Sequence, residues 1–448
     1  MTTPNRRARR DRRLATEVEV ARRRLRRGSL GAASLAGAAL VGLTPGTAAA
    51  AVTSTVTANV LTVNSDLASD SITVTCGGDN NVKVNGADPN NGAFACSSLT
   101  QITVNAGDGN DTIDLDAVVG GDFSSLTSVN AAGGGGRDRI LTSQIPSGTT
   151  LGEGGADTVL CGLGCDCVIG GAGPDSLVGG PGEDDFDAGP GNDTVLGKGQ
   201  DDDFLYGQGG HDLLMGGPGN DQFFSGGPGN DTILAGPGSD DDVFGDDGRD
   251  LIRGGAGGDN MFGGYGGDDV LGEGGTDLIF GDQPLIGYGE EADTLSGGLD
   301  GDEVWGQGGV DRVVERANTN FSFQTDPSGT TLVGGSGSEE LFDVESVALA
   351  GGGAGNRIDG SRFEGRIIVS AAGGPDTVIG TRQRDQLNGG PGNDRIIGKA
   401  GRDRLLGQAG ADRLLARDRT RDTVSGGAGN DLATVDPRDV VRGVEQQT

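Results

Sequence analysis

The 448-residue chain holds 90 glycines, only 33% hydrophobic and 4% aromatic residues, and a formal net charge of −32. That leaves too little apolar surface for the two or three large cores a chain of this length usually builds, and glycine loses more backbone entropy on ordering than any other residue. The acidity argues against nucleic acid as a partner, because such binding rests on basic surface.

Residues 1–50 stand apart. Eleven arginines precede Gly28, an apolar run follows from Leu30 to Leu43, and small residues with A-x-A spacing end the stretch at Ala48 to Ala50. This order predicts a secretory signal peptide cleaved near Ala50 or Ala51. The apolar run is shorter than the roughly 20 residues a membrane span needs. With no second such run, the mature chain is expected to be secreted and without a membrane span. Arg26-Arg27 hints at twin-arginine export, although Gly28 and Ser29 fit that signal poorly.

Residues 51–151 read as a small N-terminal β module with the first isolated repeats. "STVTANVLTV", "SITVTC", "NVKVNG" and "TQITVNAG" alternate apolar and polar residues between turn residues, as short strands do. Cys76 and Cys96 flank part of it and are placed to pair in an oxidising space. Cys161, Cys165 and Cys167 read as one more disulfide and a free thiol, since a zinc site there lacks a fourth ligand.

A nine-residue unit governs residues 152–314: GGAGPDSLV from Gly170, GGPGEDDFD from Gly179, AGPGNDTVL from Ala188. Aspartate keeps its phase from Asp157 to Asp202, with an apolar residue two places later (Val159, Val168, Leu177, Phe186, Val195, Phe204). The register slips by one residue before Gly207, Gly226 and Gly245, and an inserted "GDQPLIG" precedes YGEEADTLS. Residues 315–370 lose the phase and read as a β-rich insertion or degenerate repeats. The unit returns in residues 371–448, perfect at GGPGNDRII from Gly389, and ends in a cap. Random low-complexity sequence does not keep such phase, so the period decides against disorder.

Each position of the unit has a chemical role. Glycines at positions one, two and four accept positive φ and close backbone approach, so the turn can aim several carbonyl oxygens at one point. Aspartate at position six adds an all-acceptor carboxylate. Oxygen donors with no histidine or thiolate in phase describe a hard-cation site, and calcium suits a flexible oxygen cage better than magnesium does. Positions seven to nine make a short strand whose middle side chain points inward. One nonad then gives a turn and a strand, and two give a coil. Coils stack about 4.8 Å apart, which brings aspartates eighteen residues apart, such as Asp175 and Asp193, together.

The pattern GGxGxDxUx resembles that of the repeats-in-toxin (RTX) calcium-binding family. The resemblance covers Ala106 to Asp111, Gly152 to Val314 and Ala371 to Thr434. It implies an all-β fold, a calcium-binding parallel β-roll in two blocks, that folds on extracellular Ca2+. It further implies that each ion is shared between position-six aspartates and backbone carbonyls of neighbouring turns. Carried over by position, the metal residues are Asp157, Asp166, Asp175, Asp184, Asp193, Asp212, Asp221, Asp231, Asp250, Asp259, Asp268, Asp277, Asp302, Asp376, Asp394, Asp403, Asp412 and Asp431. The glycines that go with them are Gly171, Gly173, Gly180, Gly182, Gly217, Gly219, Gly227, Gly229, Gly255, Gly257, Gly264, Gly266, Gly390 and Gly392. Gln200 and Thr420 replace the fourth-position glycine and put the sites at Asp202 and Asp422 in doubt. The C-terminal block is rich in arginine, so its aspartates are open to either ion pairing or metal binding. Family members often carry a catalytic domain ahead of the repeats, for which this chain has no room.

Signs of an enzyme are weak. His211, the sole histidine, falls at position five of a nonad and reads as a solvent-facing turn residue. The GxGxxG matches are by-products of the repeat. Asp201-Asp202-Asp203 and Asp240-Asp241-Asp242 resemble the acidic groups of β-solenoid polysaccharide enzymes, but both fall at register slips. Trp305 reads as a packing residue. The expectation is a non-enzymatic calcium-binding protein. A cell-surface adhesin with a calcium-stiffened spacer and an unknown partner is the alternative, and a polysaccharide-active enzyme the more distant one.

Overall fold

The computed structural model describes residues 52–142, 148–162, 167–199, 201–202, 204–282, 291–317, 319–326, 329–334 and 337–448. The expected signal peptide lies outside them, as do Asp166, Cys165, Gln200 and most of the "GDQPLIG" insertion. Among the described residues the only helical element is the 3-10 turn Cys96–Ser98, and no helix is long and apolar enough to cross a membrane. The fold is an all-β parallel solenoid. It divides into two compact units, one ending at Asp212 and the other running on from Leu213.

The nonad folds as its chemistry dictates. Glycine-rich positions one to six turn the chain, and positions seven to nine form a strand such as Thr158–Leu160, Ser176–Val178 or Thr194–Leu196, with the middle residue buried and its neighbours half-exposed apart from the buried Val178. Val159, Leu177 and Val195 have no solvent exposure and stack in parallel register one coil apart. In the nonads the core is chiefly this column in each sheet, and in the second unit Phe244, Phe262, Phe280 and Trp305 add a buried stack beside it. Apolar residues are needed only once per nonad, which is why so polar a chain can fold at all.

In the first unit one sheet runs through Val60–Asn64, Gln101–Asn105, Ser128–Gly135, Thr149–Gly154, Cys167–Ala172, Asp185–Asp187 and Phe204–Tyr206, all parallel. The other runs through Ser71–Cys76, Thr112–Asp114, Arg139–Leu141, Thr158–Leu160, Ser176–Val178 and Thr194–Leu196. Strand Thr53–Thr57 folds back antiparallel on Val60–Asn64. The strands expected as a small N-terminal β module pair in parallel with the coils that follow them. Cys76 and Cys96 form the disulfide expected of them, and Cys161 is also disulfide-bonded.

The second unit repeats the plan with one detour. One sheet passes straight from Arg312–Arg316 to Ser346–Ala350 and on through Arg366–Ser370 to Gln386–Pro391. In the opposite sheet Glu303–Trp305 pairs with Gly337–Phe342, which continues antiparallel into Gly329–Gly334 and Phe321–Asp326 before Arg357–Asp359 resumes the parallel ladder. The insertion widens one sheet and leaves the other unbroken, so that sheet runs on from the coils before the insertion to those after it.

One inward residue differs from expectation. After Asp202 the buried residue is Leu205, and Phe204 turns outward to stack on Tyr206 at 5.9 Å. The aspartate-to-core spacing lengthens to three there. It does so again at Asp240, whose inward partner is Val243, with the extra residue Asp242 at φ +54°.

Candidate metal centre

Position-six aspartates line both edges of the solenoid, where each coil turns from one sheet to the other. In the first unit the backbone N–H of Asp157 donates to Oδ1 of Asp175, Asp175 to Asp193 and Asp193 to Asp212, at 2.7, 2.7 and 2.8 Å. On the other edge Asp184 donates to Asp202 at 3.1 Å. In the second unit one series joins Asp221, Asp240, Asp259, Asp277 and Asp302. Another joins Asp231, Asp250, Asp268, Asp293 and Asp311. Beyond the insertion Asp376, Asp394, Asp412 and Asp431 form one series, and Asp385, Asp403 and Asp422 the other. All are buried.

Only one oxygen of each carboxylate is used in this way. Oδ2 of Asp157, Asp175, Asp193, Asp250, Asp259, Asp268, Asp277, Asp302, Asp376, Asp394, Asp403, Asp412 and Asp431 is buried with no hydrogen-bond partner. A buried acceptor left in this state costs about 1–3 kcal/mol, more when charged. Except at Asp193 and Asp376, whose units begin with Ala188 and Ala371, each such oxygen lies beside a position-one glycine. A Cβ on Gly170 would lie 2.7 Å from Oδ2 of Asp175 and 2.4 Å from the carbonyl oxygen of Ala188 in the next coil.

The position-two and position-four glycines serve the stacking itself. At Gly171 and Gly173 the backbone takes φ of +106° and +127°, and a Cβ would lie 2.0 and 1.6 Å from the carbonyl oxygens of Glu153 and Gly155. Gly255, Gly257, Gly264, Gly266, Gly390 and Gly392 meet preceding-coil carbonyls in the same way. The carbonyls of Gly217 and Gly219 face Gly236 and Gly238, and those of Gly227 and Gly229 belong to the same left-handed turn geometry and, for Gly229, face Gly248. Among the described residues no three Asp, Glu, His or Cys side chains form a group able to hold an ion alone. Backbone carbonyls are therefore needed to complete any shell. Carboxylate and carbonyl oxygens with unsatisfied acceptor capacity fit calcium.

Burial sets the charge state of an ion-free ladder. Desolvation raises Asp157, Asp175, Asp193 and Asp394 to about 6, Asp240, Asp268 and Asp277 to about 7, and Asp250, Asp293 and Asp403 to about 8, while the accepted backbone N–H bonds pull the other way. A bound cation opposes this by favouring the charged form.

Comparison with protein-family models adds the deciding observation. The RTX calcium-binding nonapeptide repeat (4 copies) matches residues 103–117, 166–195, 199–223, 221–252, 244–279, 288–314, 370–405, 388–418 and 419–434. The chain belongs to this RTX repeat family. A comparison with curated proteins finds no match.

Several RTX positions depart from the common geometry. Gly180 donates its N–H to Oδ2 of Asp184 at 2.9 Å, closing the cradle of the Gly180–Gly182 turn with a protein group. Asp385, in the glycine-poor unit GTRQRDQLN, has Oδ2 held by the Thr381 N–H at 2.6 Å. At Asp422 the ladder bond persists despite Thr420, whose hydroxyl bonds the Gly401 carbonyl and, at 2.6 Å, Asp418 Oδ1. The ladder includes both Asp202 and Asp422.

Arg382, Arg384, Arg395, Arg402, Arg404, Arg413, Arg417, Arg419 and Arg421 are exposed, whereas Asp394, Asp403, Asp412 and Asp431 keep a buried Oδ2 with no hydrogen-bond partner. His211 is exposed in its turn, and its N–H donates to Asn192 Oδ1 at 2.9 Å.

The site list taken from sequence missed Asp111, Asp138, Asp240, Asp293, Asp311 and Asp385, all ladder members. For the first five the nonad pattern was the available signal, and for Asp385 only the nine-residue phase between Asp376 and Asp394. It also missed a second ladder at position five. Asn110, Asn192, Asn220, Asn230 and Asn393 each accept a backbone N–H from the next coil, at 2.8–2.9 Å. Carboxylates off the pattern close the ladders: Glu345 after Asp311, Asp439 after Asp422 and Glu445 after Asp431.

Proposed function

We propose that this is a secreted calcium-binding protein without catalytic activity, whose β-roll closes when extracellular Ca2+ occupies the aspartate ladders. The observation that carries the reading is the recurrence, coil after coil, of a buried carboxylate oxygen that the protein itself does not satisfy. A catalytic site is a single arrangement, whereas this one is repeated along the fold, as a structural ion site is. The basic, apolar and small-residue order of residues 1–50 supports export into a calcium-rich space.

Without cations the stacked carboxylates must either repel one another or take up protons, and each nonad has only one inward apolar residue to offset the entropy of its glycines. Ions bound to the closed form alone shift the balance by mass action. Circular dichroism and small-angle scattering of the mature chain during a Ca2+ titration test this. Compaction with calcium and not with equal magnesium is expected, and a signal unchanged to about 10 mM overturns it, since extracellular calcium modules bind in the 10⁻⁴–10⁻³ M range.

A further inference from the structure

The turns of the C-terminal coils divide by charge. Residues 371–448 hold 12 lysines and arginines against 11 aspartates and glutamates, where the whole chain holds 34 against 66. Seven of those 11 acidic residues lie buried in the ladders, so the exposed surface of these coils is basic. In the turns, the basic residues keep to one edge. The turns ahead of Asp376, Asp394, Asp412 and Asp431 read AAGGP, GGPGN, GQAGA and GGAGN, with no lysine or arginine. Those ahead of Asp385, Asp403, Asp422 and Asp439 read GTRQR, GKAGR, ARDRTR and VDPR.

The ladder fixes where these arginines stand. The N–H of Ile367 donates to Oδ1 of Asp385, Asp385 to Asp403, Asp403 to Asp422 and Asp422 to Asp439, over 18, 18, 19 and 17 residues. An arginine immediately precedes each of these five positions: Arg366, Arg384, Arg402, Arg421 and Arg438. They form a column, one per coil, at about the 4.8 Å spacing of paired strands. The last four are exposed, and Arg366 is half-buried with its Nε lacking a hydrogen-bond partner. Among the described residues no salt bridge engages any of the five. Where asparagine holds this position it accepts an N–H from the next coil. Arginine has no acceptor to offer, and like charges on neighbouring strands destabilise their pairing. Stacking of the coils gains nothing from the column.

We propose that this edge binds a linear acidic polysaccharide, whose acid groups pair with the arginine column. A guanidinium stays charged at any ordinary pH and forms bidentate hydrogen bonds to carboxylate-like groups. A row one residue wide, repeated coil by coil, matches a single extended chain of repeated acid groups. A DNA duplex spreads its phosphates over two strands, and the turns of the opposite edge hold no basic residue to meet the second. Single-stranded nucleic acid is held by bases stacked on aromatic side chains, and residues 371–448 contain no Phe, Tyr or Trp. The same lack leaves no aromatic anchor for a membrane interface.

Binding of the mature chain to immobilised hyaluronate (carboxylated), dextran sulfate and neutral dextran is measured in calcium, with circular dichroism showing each variant folded. At least one acidic polymer is expected to bind, more weakly as salt rises, and neutral dextran is expected not to. Arg402→Gln combined with Arg421→Gln should weaken binding about tenfold, the loss of two exposed ion pairs. Arg395→Gln combined with Arg413→Gln removes the same charge from the strands after the neutral turns, and should leave binding unchanged. No binding of either acidic polymer at low salt, or equal losses in the two double variants, overturns the proposal. Tighter binding of a DNA duplex, or self-association abolished by the Arg402 and Arg421 changes, overturns it in favour of nucleic acid or of a second copy of the chain.

Discussion

The backbone N–H of Asp175 donates to Oδ1 of Asp193 at 2.7 Å, while Oδ2 of Asp193 is buried without a partner. One carboxylate thus holds the coil before it and offers its second oxygen to something the chain does not encode. The structural and ion-binding roles fall on different atoms of one side chain, so substitution can separate them.

Asp193→Asn keeps the Oδ1 acceptor and puts an amide donor in place of the buried, unpartnered Oδ2. The variant is expected to lose calcium at that rung and yet stabilise the ion-free roll by about 1 kcal/mol, because a buried unsatisfied acceptor is removed. Denaturant unfolding in chelator, beside a Ca2+ titration, checks both signs. Destabilisation under both conditions would mean that Oδ2 has no unmet demand.

Acid is expected to do part of calcium's work. Ladder aspartates such as Asp250, Asp293 and Asp403 are raised from 3.8 to about 8 by burial. A group whose folded pKa exceeds its unfolded value binds more protons when folded, so its stabilising contribution is full below the unfolded pKa and is lost as pH rises through the folded one. In chelator the roll should therefore be compact near pH 4 and loosen progressively up to about pH 8. Calcium should restore it at pH 8 and bind more weakly on acidification, since protons compete for the same oxygens. Circular dichroism against pH, with and without Ca2+, reads both limbs.

The repeat was the legible part of this fold. Aspartate phase and a single inward residue gave the coil, the two edges and the meeting of Asp175 with Asp193. Less legible were the first coils, because their length has not settled. Successive ladder bonds from Asp70 to Asp111, Asp138, Asp157 and Asp175 span 41, 27, 19 and 18 residues. Alternation in this region shows strands, but no period shows which strands stack. The insertion presents the same difficulty: its strands could be read, whereas the pairing of Glu303 with Glu340 across it depends on long-range register. Phe204 was misjudged as the inward residue because Phe and Leu at neighbouring positions are equally apolar, and only the slipped spacing favours Leu205.

Stacking tolerates almost no side chain on the edges. A Cβ at Gly257 would fall 1.3 Å from the carbonyl oxygen of Gly238, at φ +145°, whereas at Gly78 nothing lies within 4 Å. Gly257→Ala is expected to cost well over about 1 kcal/mol, through left-handed strain and the displaced carbonyl together. Gly78→Ala should be near neutral. Calcium-dependent melting temperatures of the two variants make the comparison, and equal effects would remove the steric argument for the edge glycines.

Trp305 offers a direct view of the closing roll. Its ring stacks between Phe280 at 5.9 Å and Phe342 at 4.0 Å, the latter carried by the returning strand of the insertion, and its Nε1–H donates to Glu303 Oε1 at 3.0 Å. The residue is 9% exposed and is the sole tryptophan. Its emission should shift to the blue as calcium closes the coils around it, with the same midpoint as the backbone signal if the insertion docks together with the roll. Phe342→Ala removes one stacking face and should leave the ladder's calcium midpoint nearly unchanged while reducing the shift. A tryptophan signal indifferent to calcium in a chain that compacts with it would show that this stack forms before the ions bind.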